Sequence, residues 1–109
     1  MPKITNHELI NRIIVATDQD RIDWQTTARS QEFTSSFGGK WTLVLSHYFT
    51  ALQDVYALEV KDSEGEILNR VTSLEDNRIQ ELHEMARRHA LKIDEALADL
   101  LKEIDKPKQ

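Results

Sequence analysis

The chain has 109 residues, 39% hydrophobic and 30% charged, with no cysteine and a net charge of −5 from 14 basic and 19 acidic side chains. Such a length suits one domain, and the composition is that of a globular protein rather than a disordered or membrane-embedded one. Disulfides, zinc–thiolate sites, iron–sulfur clusters and thiol nucleophiles are excluded, which fits a reducing cytoplasm. Residues 1–73 carry 7 basic and 10 acidic groups, and residues 74–109 carry 7 and 9. Neither half gathers the Lys and Arg that bind phosphates, so nucleic acid is not an expected partner. No segment approaches the roughly 20 apolar residues of a membrane span, and the opening Met1-Pro2-Lys3-Ile4 lacks a signal-like apolar run, so no membrane is expected either.

The first helix is predicted from Thr5 or Asn6 to Asp18. Thr5 and Glu8 have capping-box spacing. Leu9, Ile10, Ile13, Ile14 and Thr17 then form one apolar stripe, which Asp18-Gln19-Asp20 ends. All seven aromatics follow, between Trp24 and Tyr56, and aromatics favour strands. Ile22, Trp24 and Thr26 alternate with polar residues, as do Phe33, Ser35 and Phe37. Gly38-Gly39 then reads as a two-residue hairpin turn, since primed turns need positive φ. From Lys40 to Phe49, Trp41, Leu43, Leu45, His47 and Phe49 share one face, with Thr42, Val44, Ser46 and Tyr48 on the other. After a loop at 50–54, Tyr56, Leu58 and Val60 alternate to Lys61, and a polar turn ending at Gly65 leads to a last strand, 66–71. The expected architecture is therefore α+β, with a four- to five-stranded antiparallel meander after the N-terminal helix.

A capping box at Thr72/Glu75 or Ser73/Asp76 introduces a C-terminal helix. Ile79, Leu82, Ala86, His89, Ile93, Leu97, Leu100 and Ile104 recur at steps of three or four, and no Gly or Pro intervenes before Pro107. One unbroken helix to about residue 105 would be about 45 Å long, whereas strands of this kind span about 17–30 Å. A helix packed on one sheet face would outrun it. Either it kinks, or Ile93, Leu97, Leu100, Leu101 and Ile104 are covered by another chain, and a homodimer is the expectation. Residues 1–105 are read as the domain and 106–109 as a disordered tail.

A search for chemistry finds little. His83-Glu84 opens like the zinc-protease H-E-x-x-H motif, but Arg87 stands where the second histidine belongs, and His89, six residues from His83, faces elsewhere. Asp18, Asp20 and Asp23 lack the glycine and glutamate of a calcium loop. Phe37-Gly38-Gly39-Lys40 joins two strands and does not have the spacing of a P-loop. No metal, no cofactor and no catalytic residue is assigned. The aromatic face could instead hold a flat or apolar ligand, for which Trp24, Trp41, His47 and Tyr48 are the candidates.

Ile14-Val15-Ala16-Thr17, Arg21-Ile22-Asp23-Trp24, Phe37-Gly38-Gly39, Tyr56-Ala57-Leu58-Glu59-Val60-Lys61-Asp62 and Leu82-x-x-x-Ala86-Arg87 together resemble a type of small, uncharacterised bacterial or phage protein. The resemblance implies a helix, a strand meander and a closing helix, and it carries no activity with it. The expected function is a non-enzymatic protein-interaction module, such as an antitoxin, immunity or defence-related accessory factor, with a small-ligand module as the alternative.

Overall fold

Residues 3–107 are described by the structure, a computed structural model. The order of elements is α1 (Asn6–Asp18), β1 (Gln25–Thr26), β2 (Phe33–Phe37), β3 (Trp41–Phe49), β4 (Asp54–Lys61), β5 (Ile67–Thr72), α2 (Arg78–Ala90) and α3 (Ile93–Ile104). The class is α+β, and the sheet is an antiparallel meander in the order β1-β2-β3-β4-β5. The expected tail at 106–109 ends in Lys108 and Gln109, which lie outside the described residues.

Thr5 caps α1 by accepting the Glu8 amide at 3.1 Å, which satisfies one of the free N–H groups of the first turn. Its other end is a Schellman turn: Asp20 adopts φ 57°, its amide donates to the Thr17 carbonyl, and Arg21 reaches back to the Ala16 carbonyl at 2.8 Å. The next segment is less of a strand than its alternation suggests, since only Gln25 and Thr26 pair with β2. Ile22 and Trp24 are buried ahead of it. Gly38 and Gly39 both take positive φ, 59° and 72°, and Lys40 closes the turn on the Phe37 carbonyl. Pairing resumes at Phe37 with Trp41, so the loop is one residue longer than a two-residue hairpin.

Register separates the two faces of the sheet. Leu43, Leu45, Leu58, Val71 and Phe33 join Ile10 and Ile13 of α1 and Ile79, Leu82 and Ala86 of α2 in one core cluster. Both helices thus lie on the same face, where the apolar half of each strand meets their stripes. Thr34, Thr42, Val44, Ser46, Glu59 and Arg70 lie on the other face by strand parity, which leaves it largely polar.

The single long C-terminal helix is the main correction. The chain is helical from Arg78 to Ala90 and again from Ile93 to Ile104, with Leu91 and Lys92 between. Lys92 stands in the left-handed region (φ 53°, ψ 43°), and its amide donates to the His89 carbonyl at 3.2 Å. This is the αL stop that glycine usually supplies, so the kink is realised at a lysine. The start is also later than expected. Thr72 and Glu75 do meet, with the Thr72 amide donating to Oε1 at 3.3 Å, but they close the turn after β5. Asp76 then accepts the Arg78 amide at 3.0 Å.

A side chain with a Cβ pays about 1 kcal/mol or more in this conformation, whereas glycine adopts it freely. Lys92→Gly is therefore expected to raise stability by about 0.5–1 kcal/mol. Urea denaturation would show a higher midpoint with an unchanged slope; a lower midpoint would mean that the bend is not held in the left-handed region.

Candidate functional site

Three surfaces could carry a function: a histidine recess, an apolar groove beside α1, and the free face of α3.

The recess begins in the sheet. His47 of β3 and Tyr56 of β4 are direct cross-strand partners, and their rings stack at 4.3 Å with planes 7° apart. His83 of α2 lies over them edge-on, 5.0 Å from Tyr56, 5.2 Å from Phe33 and 5.9 Å from His47. Its Nε2 donates to the Gln31 carbonyl at 2.9 Å, which fixes the tautomer, because a carbonyl can only accept. Burial pushes the His83 imidazole below its ordinary value, and the neighbouring His47 adds to the shift, while the bond to Gln31 opposes it. His47 Nε2 is buried without a hydrogen-bond partner among the described residues, and the nearest anion, Asp54, is 3.6 Å away. Gln31, Gln80, Glu84 and Arg87 complete a recess of about 430 Å³.

In the sequence His83 stands out only through the incomplete zinc motif. Its position, four residues after Ile79 and one after Leu82, belongs to the buried stripe of α2. That spacing, with His47 and Tyr56 on inward strand positions, was the signal that could have joined the three. Among the described residues no three His, Asp or Glu side chains converge to hold a metal ion. His89 lies apart from the recess, with Nε2 3.2 Å from Asp23 and Nδ1 3.8 Å from Asp20, and so ties the end of α2 to the loop after α1.

The four aromatic-face candidates are not brought together. Trp24 is 1% exposed and is a core residue. Trp41 is 48% exposed at the β2–β3 end, paired with Phe37. His47 lines the recess. Tyr48 follows it on the opposite face, where its hydroxyl accepts from Arg70 at 3.1 Å. Period-two geometry forbids His47 and Tyr48 from sharing one face.

The apolar groove runs between α1 and the sheet. Leu9, Ile13 and Ala16 form one wall, Phe37, Leu43 and Val60 the other, and Ile22 lies at its base, enclosing about 330 Å³. Two cations, Arg12 and Arg21, are its charged lining residues. Arg12 is highly exposed and pairs with Glu8 at 3.1 Å.

On α3 the expected stripe is present and uncovered. Leu97, Leu100, Leu101 and Ile104 are 46–64% exposed, Ile93 is half-buried beside the bend, and no residue of the helix is buried. At 100° per residue the five side chains fall within an arc of about 100°. The bend is held by an ion pair between Arg88 and Asp94, while Glu84 pairs with Arg87 at 3.1 Å. No helix of the described residues is long and apolar enough to cross a membrane.

No protein-family model matches the chain, and no curated protein or solved structure matches it either.

Proposed function

We propose that this chain is a non-enzymatic protein-interaction module of bacterial or phage origin, acting in the cytoplasm as a homodimer formed through α3. The observation that carries the reading is the complete apolar stripe on a helix that buries nothing. A helix of 12 residues is marginal in water on its own and draws its stability from packing of its apolar face. The radius of gyration, 16.5 Å, exceeds the roughly 13 Å of a compact chain this long, as a projecting α3 requires. Exposed apolar stripes of this kind mark interaction surfaces. The origin rests on the resemblance of the sequence segments alone.

The test is native mass spectrometry of wild type and of Leu97→Asp with Leu101→Asp. Wild type is expected at twice the chain mass. Each leucine is worth about 1.5–3 kcal/mol when buried, so the double variant is expected to dissociate more than about a hundredfold more readily. Both positions are exposed, so the fold survives the change. A monomeric wild type would overturn the reading.

A small-ligand module is the second reading, favoured by the unpartnered His47 Nε2 beside the recess. The same measurement separates the two, because a reproducible added mass that is lost on denaturation would support a bound ligand.

A further inference from the structure

The homodimer reading leaves open what α3 touches in the partner. Packing against its own copy would bring like charges together, since four acids, Asp94, Glu95, Asp99 and Glu103, and one base, Lys102, lie within Ile93–Ile104. It would also leave the groove beside α1 in water. We propose instead that α3 of each protomer lies in the groove between α1 and the β2–β3 end of the other, a reciprocal exchange.

Three observations point to this occupant, and all rest on the homodimer reading. The groove is apolar, and among the residues that line it there are two arginines and no carboxylate. On the helical wheel Asp94, which also pairs with Arg88, borders one side of the α3 stripe and Glu103 lies toward the other, so acids flank the stripe as Arg21 and Arg12, the latter shared with Glu8, flank the groove. Lengths also agree: α3 has 12 residues and α1 has 13, about 18 and 20 Å. Exchange about a two-fold axis buries both stripe and groove twice, whereas a stripe-on-stripe contact buries one five-residue patch against itself. A stable interface needs about 1,200–2,000 Å², which favours the arrangement that covers more apolar surface.

The absence of cysteine makes disulfide trapping a clean test. Under mild oxidation, a mixture of Leu97→Cys and Ala16→Cys chains is expected to give a covalent dimer that neither variant forms alone. In sedimentation, Arg12→Glu with Arg21→Glu, both exposed, is expected to raise the dissociation constant at least about tenfold at low salt, and less at high salt. Self-crosslinking of Leu97→Cys, or a dissociation constant unmoved by the charge reversal, would overturn the exchange while the homodimer stands. A monomer at every concentration would overturn both.

Discussion

Trp24→Ala is expected to remove about 3–5 kcal/mol of stability, a large share of the roughly 5–15 kcal/mol that holds a domain of this size. Trp24 is 1% exposed and joins the cluster that binds α1 and α2 to the sheet. Its indole N–H donates to Thr17 Oγ1 at 3.1 Å, and that hydroxyl donates in turn to the Ile13 carbonyl at 2.8 Å. The largest side chain of the core is thereby pinned to the last turn of α1. Two smaller changes separate packing from bonding. Trp24→Phe keeps most of the apolar volume and gives up one hydrogen bond, worth about 1 kcal/mol. Thr17→Val leaves the indole N–H buried without an acceptor, which costs about 1–3 kcal/mol. With both changes together no orphaned donor remains, so the combined loss is expected to fall below the sum of the two. Additive losses in urea denaturation would mean that the hydroxyl and indole are not coupled.

Acidification from pH 7.5 to 5 is expected to destabilise the protein through His83. The residue is 3% exposed, and burial holds its imidazole below its ordinary value. His47, Tyr56 and Phe33 face it from the three central strands, Gln31 accepts its one donated bond, and Glu84 and Arg87 stand beside it on α2. In the unfolded chain it protonates near pH 6.5, whereas in the folded chain it does so only at lower pH. Between those points the unfolded state binds more protons, so stability is full above about pH 6.5 and falls as pH drops. Asp76, held below the usual carboxylate range by Arg78, adds its own loss only in more acidic solution, as pH falls through its folded value. His83→Gln keeps an amide donor for the Gln31 carbonyl and cannot titrate. Its denaturation midpoint is expected to change less over this pH interval than that of wild type. Equal slopes for the two proteins would remove His83 as the cause. His83→Ala, which opens a cavity and orphans that carbonyl, is expected to lose about 2–4 kcal/mol at neutral pH.

Much of the architecture is written in local patterns. The Thr5 cap, the stripe from Ile10 to Thr17 and the alternation of β2, β3 and β4 are each set by interactions within a few residues, and the structure places them where their periodicity does, while the paired glycines turn the chain in a loop one residue longer than their spacing predicts. The core members Leu43, Leu45, Leu58, Ile79, Leu82 and Ala86 follow from the same periods. The sequence alone also specified the apolar stripe of α3, because a helix shows its amphipathicity whether or not anything covers it.

Contacts between distant segments decided the rest. Nothing in Leu91-Lys92 marks a break, since lysine has no preference for the left-handed region. The bend is set where α2 runs past the sheet, beside the His89–Asp23 contact and the Arg88–Asp94 pair. The first strand shrank to Gln25–Thr26 because Ile22 and Trp24 fill the core instead of pairing. The recess joins residues 31, 47, 56 and 83, and only the register of β3 with β4 and the crossing of α2 bring them together. Trp24, Trp41 and Tyr48 were dispersed for the same reason: local spacing assigns each residue a face, but the packing of whole elements determines which faces are enclosed and which remain in water.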